Sequence, residues 1–428
     1  QGKKFECRGS RRRRSPRGAI KSYRGGFIVS GHAGEVMIKT IDQLPLENKV
    51  VFLRVDFNVP LRDGKVAEPH RIDSTVPTIR QILRRAKKLV IASHLGRPDG
   101  KPAPKYSLAP VREHLEHVIQ EPVDLAPDCI GAEVERLMRE STHRLILLEN
   151  LRFHKEEEAN DPVFSKALAA LAEVYINDAF GAAHRAHASI AGMAAFFQDK
   201  GAGLLMQKEL DYLSRVMTQP DKPFVTILGG AKVTDKIGVI RNLFPRVNTL
   251  LIGGGMAYTF LKAKGVEIGK SLVENDKLQL ALELLQEAAA HQVAILLPVD
   301  HVTGDANKQN ATTSAGMIPA DRLGLDIGPK TVGLFCDEIR KAKMVLWNGP
   351  VGLFEVPPYD QGTQSLARTL AQNGSNCTSI IAGGDTVAAV TAAGVGNAVS
   401  HLSTGGGATL EFLEGKQLPG IKALEENS

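Results

Sequence analysis

Val50-Val51-Phe52-Leu53-Arg54-Val55-Asp56-Phe57-Asn58-Val59-Pro60 is the stretch on which the fold turns. Its opening apolar run predicts a buried strand over 50–55. An arginine, a carboxylate and a carboxamide leave that strand together. Polar groups of fixed bonding geometry at a strand exit suit a small-molecule site. The bland reading is a strand-to-loop corner with one surface ion pair, since structural pairs can look like sites. The rest of the chain decides between them.

On the C-terminal side, short apolar runs alternate with helix-like segments. Strands are predicted at 50–55, 89–93, 145–149 and 174–178, and helices at 75–86, 108–117, 132–140 and 162–172. That alternation implies βαβ units around a mostly parallel sheet. Residues 204–218 read as a helix with little Gly or Pro, followed by Gln219-Pro220-Asp221-Lys222-Pro223, and suit a linker. A second alternation follows, with strands at 224–228, 249–252, 294–298, 344–347, 378–382 and 401–403. Two α/β domains joined by one helix are therefore expected, with residues 37–203 in the first, 204–220 as linker helix and 221–410 in the second. No repeat of solenoid period is present.

Composition fits a soluble globular protein: 428 residues, 43% hydrophobic and 23% charged, with one Trp and 6 Tyr. The net charge of +6 invites a nucleic-acid reading, which fails on location. Residues 1–36 carry a net +8, so the remainder carries −2. Cys7, Cys129, Cys336 and Cys377 are scattered, with no CxxC pair and no Cys/His ligand spacing, which argues against a disulfide framework or a zinc site. The pattern suits a reducing cytoplasm. No stretch approaches the ~18 apolar residues of a membrane span.

The basic extension 1–36 is Arg-rich and acid-poor, as transit peptides are. It lacks an initiating Met, and globular-looking sequence starts at Met37. A mis-assigned start is the favoured reading, ahead of an organellar presequence and a nucleic-acid tail. Each predicts disorder and no catalytic role.

In the first half, nearly every strand exit ends in a cation or a histidine. Arg54 is followed by Ser93-His94-Leu95-Gly96-Arg97-Pro98, by Asn150-Leu151-Arg152-Phe153-His154, and by His184-Arg185-Ala186-His187, while Arg71 precedes the predicted 75–86 helix. Ligands of open α/β sheets sit beyond the carboxyl ends of the strands. These cations should therefore converge into a pocket for a small polyanion, where arginine's planar fork bonds carboxylate or phosphate bidentately. Any one of them alone would read as a solvated surface charge, and a lone His as a satisfied core group. Lys155-Glu156-Glu157-Glu158 reads as a solvated helix face.

In the second half, strand 224–228 leads into Gly229-Gly230-Ala231-Lys232-Val233-Thr234-Asp235-Lys236. A glycine turn into a helix with two lysines suits phosphate; a plain βα turn with surface lysines is the alternative. Three more glycine turns follow strands: Gly253-Gly254-Gly255, Gly383-Gly384-Asp385-Thr386 and Thr404-Gly405-Gly406-Gly407. Helix-opening N–H groups at 383–386 could hold a phosphate, and Asp385 could hold Mg²⁺ or cap the helix. Trp347-Asn348-Gly349-Pro350-Val351-Gly352-Leu353-Phe354-Glu355 is a loop ending in an acid that could take a ribose hydroxyl. Gly265–Ser271 mimics a P-loop but is one residue short and follows a helix-like segment, so a Walker-type site is rejected.

Over residues 37 to about 425 the chain resembles phosphoglycerate kinase, in the segments 54–60, 93–98, 148–152, 184–187, 229–236, 253–256, 347–355, 383–386 and 403–407. The resemblance implies two doubly wound parallel-sheet domains facing a cleft, with 411–428 returning to the first. It implies reversible glycolytic phosphoryl transfer between 1,3-bisphosphoglycerate and ADP, with Mg²⁺ accompanying ATP or ADP, in a cytoplasmic monomer without nucleic-acid or membrane partners. Asp56, Phe57, Asn58, Arg71, His94, Leu95, Gly96, Arg97, Arg152, His184 and Arg185 would bind the phosphoglycerate, with His187 supporting them. Lys232, Lys236, the Gly253, Gly254 and Gly255 turn, Gly324, Asn348, Glu355, Gly383, Gly384, Asp385 and Thr386 would bind nucleotide, with Asp385 on the metal. Transfer itself would fall to Arg54, Lys232 and the N–H groups of Gly384 and Gly407, with Arg54 facing Lys232 across the cleft. Two rivals from other classes are a phosphate-ligand sensor without turnover and a nicotinamide dehydrogenase. The latter lacks a clean GxGxxG with an acid ~20 residues on.

Overall fold

A computed structural model describes residues 27–31 and 34–425. Two six-stranded sheets organise it. The first runs in the order Lys200–Ala202, Val174–Asn177, Val50–Arg54, Lys88–Ala92, Leu145–Leu147 and Val123–Leu125. The second runs Ala294–Leu296, Thr249–Ile252, Phe224–Leu228, Met344–Asn348, Thr378–Ala382 and His401–Leu402. Every pairing within both sheets is parallel.

The apolar runs explain why both sheets are covered on both faces. Side chains alternate across a strand. Phe52, Val90, Ile146 and Tyr175 join one core, while Val51, Leu53, Ile91, Leu147 and Ile176 join another on the opposite face. The second sheet divides likewise: Phe224, Leu250 and Leu346 on one side, Val225, Leu251 and Trp347 on the other. Each fully buried Leu, Ile or Phe contributes roughly 1.5–3 kcal/mol from burial. The core containing Phe52 continues through Met206, Leu210 and Leu213 of the Leu204–Thr218 helix to Phe224 of the second sheet. Asp178, at the exit of strand Val174–Asn177, accepts the Met206 N–H at 2.9 Å and so caps that helix.

Both sheets reverse their strand order beside their first strand. In the first, Val50–Arg54 lies between Val174–Asn177 and Lys88–Ala92; in the second, Phe224–Leu228 lies between Thr249–Ile252 and Met344–Asn348. Such switch points open a crevice at the carboxyl ends of the strands.

The structure departs from expectation in several places. The edge strands Val123–Leu125 and Lys200–Ala202 are absent from the sequence reading because three residues give no periodic signal. A three-stranded antiparallel sheet, Thr312–Ala315, Asp300–Gly304 and Leu323–Ile327, was also not expected, as its first two strands are largely polar. The expected disorder of the extension lies outside the described residues for 1–26, but Phe27–Gly31 and Gly34–Ile38 form an antiparallel hairpin. The arginine-rich composition ends at Arg24, and Phe27-Ile28-Val29 has the β-branched and aromatic content of a strand. Near the other end, Glu425 bridges to Ile38 and the Gly420 N–H donates to Ala183 O at 2.8 Å, so the chain returns to the first sheet's side.

Candidate active site

At the switch point of the first sheet a cavity of about 280 Å³ is lined by Arg71, Arg97, Arg152 and Arg185, with Asp56, Asn58, His94, Gly96 and His184 between them. The cations are held by the protein in advance. Arg71 Nη1 donates to Asp56 Oδ2 at 2.8 Å, and Arg152 Nη1 to Gly96 O at 2.8 Å. Arg185 Nε donates to His184 Nε2 at 3.2 Å. Asn58 Oδ1 accepts the Gly96 N–H at 2.9 Å, locking two strand exits together. Arg97 alone among the four is exposed. Gly405, Gly406 and Gly407 close the cavity from the far end of the chain. Gly181 and Ala182 also line it; they were missed because a Gly-Ala pair carries no chemical signal.

Phe57 and Leu95 do not line this cavity. Phe57 is a core side chain whose N–H donates to Ser93 Oγ, and Leu95 is clamped by both ends of the Asn150 amide. They support the wall through backbone position.

His94, His184 and His187 are all held below the usual imidazole range. Burial and the Arg54 guanidinium hold His94 well below the usual imidazole range. Burial and the same arginine bring His187 down to about 3. Burial and Arg185 lower His184. Neutral rings suit His94 Nδ1 and His184 Nε2 as acceptors from arginine.

Arg54 takes an unexpected pose. It is fully buried and outside the cavity lining. Its Nε donates to Ser189 Oγ at 2.7 Å, its Nη1 to Val55 O, and its Nη2 approaches His94 Nδ1 at 3.3 Å. Glu157 Oε1 stands 4.0 Å from Nη2. The expectation that 155–158 forms a solvated face holds for the exposed Lys155 and Glu158 and is corrected at Glu157. Glu157 is completely buried and accepts both the Ser189 N–H and its hydroxyl, at 2.9 and 2.6 Å. The desolvated guanidinium beside it supplies the compensating charge that a buried carboxylate needs.

The second switch point is made largely of backbone. Gly229 N donates to Asn348 O, Gly230 N to Pro350 O, Gly254 N to Val351 O, and Met256 N to Gly230 O. Three turns are thus knitted into one surface. A Cβ at Gly229 would sit 2.0 Å from Pro350 O, and Gly254 has φ +65° with Gly230 N only 2.7 Å from where its Cβ would lie. Only glycine permits both. Gly253 and Gly255 belong to the same turn.

Lys232 is exposed on this surface, and Lys236 is half-buried with its Nζ bonded to Asn348 Oδ1. Burial lowers the Lys236 ammonium from its ordinary value. Asn348 Nδ2 is buried without a hydrogen-bond partner and lies 3.0 Å from the Cβ position of Gly383. Gly384 and Asp385 are exposed in the first turn of helix Gly384–Ala392, and Thr386 Oγ1 accepts the Gly349 N–H at 2.7 Å. Glu355 is exposed on a loop tied by Leu353 N to Leu325 O at 2.8 Å. That bond sets the loop beside Gly324, whose N–H donates to Ser271 Oγ at 2.8 Å. Leu272, 55% exposed and within 2.9 Å of the Gly255 Cβ position, borders this surface and was not singled out in the sequence. A large exposed apolar side chain among glycines was its only signal.

Between the two surfaces lies a second cavity of about 530 Å³. Asn58, His70 and Arg71 line one wall and Gly384, Val387 and Thr391 the other. Its floor is anchored to the linker helix. Buried Glu209 accepts the Thr404 N–H and hydroxyl at 2.6 and 2.9 Å, and His401 Nε2 at 2.8 Å. Burial alone would raise the Glu209 carboxyl, but His401 and Thr404 outweigh it and hold it below its ordinary value. The P-loop mimic 265–271 follows helix Gly254–Ala263, as its rejection requires. No described helix is long and apolar enough to cross a membrane.

Residues 41–416 match the family model of phosphoglycerate kinase. A protein named "Phosphoglycerate kinase" from Koribacter versatilis (strain Ellin345) is 55% identical over 397 residues, covering 90% of this chain and 98% of its own. One of the same name from Anaeromyxobacter sp. (strain K) is 51% identical over 396 residues, covering 91% of this chain and 100% of its own. Among solved structures, phosphoglycerate kinase from Coxiella burnetii superposes with a TM-score of 0.80 at 39% identity, covering 90% of this chain and 98% of that one. The enzyme from Pyrococcus horikoshii OT3 gives 0.79 at 30% identity, with the same coverage. The family model spans most of the chain, and these relatives share its sequence and its two-domain α/β fold, so the chain belongs to the phosphoglycerate kinase family.

Proposed function

We propose that the arginine cavity binds the phosphoglycerate, that the glycine surface binds the nucleotide, and that the family's reaction runs across the 530 Å³ gap between them. The observation that carries this assignment is the pair of facing switch points, one built of cations and the other of backbone. The enzyme moves a phosphoryl group from 1,3-bisphosphoglycerate to ADP, giving 3-phosphoglycerate and ATP, and runs in reverse.

Arg71, Arg97, Arg152 and Arg185 neutralise the phosphoglycerate, and Asp56 and Asn58 orient it. In the second domain Gly324, Leu272 and Gly253–Gly255 take the adenine, while Glu355 takes a ribose hydroxyl. Lys232, Lys236, Asn348 and the 383–386 turn take the phosphates. Asp385 suits Mg²⁺, which pairs one or two carboxylates with phosphate oxygens and water. The unpartnered Asn348 Nδ2 beside Gly383 points to a polar ligand at this spot. When bound, the ion neutralises charge on the nucleotide's phosphates.

In the forward direction an oxygen of the ADP β-phosphate attacks the acyl phosphorus. The bond from phosphorus to the carboxyl oxygen breaks, and a carboxylate leaves. Both reactants are polyanions, so positioning and charge stabilisation do most of the work. The carboxylate that attacks in reverse is already ionised, so neutral His94, His184 and His187 are not needed as bases. Lys232 and the N–H groups of Gly384 and Gly407 stabilise the transferring group. Arg54 joins them after leaving Ser189, a move that accompanies closure about the Glu209 anchor. Closure would also exclude water.

A coupled assay supplying 1,3-bisphosphoglycerate and MgADP tests the assignment. ATP formation is expected from the full chain and from a version starting at Met37. Phosphoglycerate binding without ATP formation would instead identify a sensor.

A further inference from the structure

Beyond the edge strand Val123–Leu125, three side chains with different donor atoms converge. Asp128, Cys129 and His154 bring a carboxylate oxygen, a sulfur and an imidazole nitrogen within 4.8 Å of one another. His154 Nε2 lies 2.6 Å from Asp128 Oδ1. The Cys129 thiol donates to Glu149 O at 3.0 Å. Phe164 lies against the His154 ring, with centroids 5.0 Å apart, and limits its orientation. The Cys129 N–H donates to Asp128 Oδ1 at 2.6 Å, which steadies the carboxylate.

A structural ion pair would need only Asp128 and His154. The sulfur at the same point adds the ligand type that zinc-class ions favour and that magnesium and calcium avoid. Access is available: the thiol is buried, but the Asp128 side chain is 48% exposed and that of His154 24%. The cluster lies apart from the cavity, which none of the three lines.

We propose that Asp128, Cys129 and His154 bind one zinc-class divalent cation, with water as the fourth ligand. Metal–ligand bonds of about 2.0–2.3 Å fit the cluster after a small separation of Asp128 from His154. The metal replaces the thiol proton, which leaves to solvent, and takes His154 Nε2 with the imidazole proton carried on Nδ1. The ion takes no part in phosphoryl transfer. His154 is the N-cap of helix Lys155–Glu158, which carries Glu157, and it follows Arg152 by two residues. A bound cation would tie the 128–129 loop to the segment that backs the phosphoglycerate cavity, which makes it a stiffening site.

Cobalt(II) is the probe, titrated into the metal-stripped full chain with excess Mg²⁺ occupying nucleotide-type sites. One equivalent should produce a thiolate-to-cobalt charge-transfer band that Zn²⁺ removes. Cys129→Ser should abolish the band, although Cys7, Cys336 and Cys377 remain. His154→Gln, at a partly exposed side chain, should keep the parent's thermal unfolding while weakening cobalt binding at least ~10-fold. No band in the parent chain, a band that survives Cys129→Ser, or unchanged affinity in His154→Gln would each overturn the proposal.

Discussion

At the end of strand Val50–Arg54, positive charge sits on arginines fixed by Asp56, Gly96 and His184. At the end of strand Phe224–Leu228 it sits on two lysines and on bare backbone, with glycines holding the turns in contact. The difference suits the two ligands proposed. A phosphoglycerate is small and densely charged, so a ring of rigid forks can surround it. A nucleotide is long, with its negative charge confined to the phosphates at one end, so most of its length suits an open surface with close backbone approach and cations at one end only. The first surface is preorganised by ion pairs and the second by sterics, and each should therefore fail in its own way.

The sharpest test is Arg54→Ala. Turnover should fall at least ~100-fold, as when one preorganised donor is removed. Stability should also drop by about 3 kcal/mol, because Glu157 stays buried without its cation. Adding Glu157→Gln should recover the stability, read by urea unfolding, and leave turnover low. If turnover survives Arg54→Ala, the arginine is only a brace for the cavity wall.

Lys232→Ala should lower kcat by a similar ~100-fold without the stability loss, since Lys232 is exposed. Titration of 3-phosphoglycerate should give the parent affinity. A weakened phosphoglycerate would mean that the two surfaces are not separate.

Gly229→Ala attacks the steric side of the comparison. Its Cβ would lie 2.0 Å from Pro350 O, so the turn must shift. The KM for ADP should rise roughly tenfold, at about 1.4 kcal/mol per decade, with phosphoglycerate affinity unchanged.

The smallest effect is on pH dependence. His187 sits at about 3 in the fold, below its ordinary 6.5, through burial and Arg54. Its contribution to stability is complete above 6.5 and is lost as pH falls towards 3. Asp326 in the second domain is pushed up to about 7 from 3.8, chiefly by burial. Its contribution is complete below 3.8 and is lost as pH rises through 7. Asp178, raised by burial to about 6, opposes His187 in the first domain, so variants are the readout. Calorimetry should show that His187→Gln makes Tm rise less steeply with pH, and that Asp326→Asn makes it fall less steeply. The opposite sign for either variant would contradict the burial argument.

Much of this was legible in the chain. Repeated cations at successive strand exits announced the cavity, because parallel strands bring their carboxyl ends to one edge. The glycine turns announced the backbone surface at the second switch point. The pose of Arg54 was not legible, because its partner Ser189 lies 135 residues away and Glu157 sits within a run that looks like ordinary surface charge. Phe57 and Leu95 were placed in the site by neighbourhood, although their side chains point into the core. The Asp300–Gly304 sheet carries Gly324, yet that polar strand gave no periodic signal.

The return of the chain to the first sheet has a consequence for how the protein is made. Residues 405–407 close the arginine-lined cavity, and Glu425 bridges back to Ile38. A ribosome delivers the strands of the first sheet early and these closing segments last. The second sheet, from Phe224 to Leu402, is fully translated before either arrives. The domain that is born first is therefore finished last, and until then its arginines face solvent on a nascent chain without the glycine turn that completes their pocket.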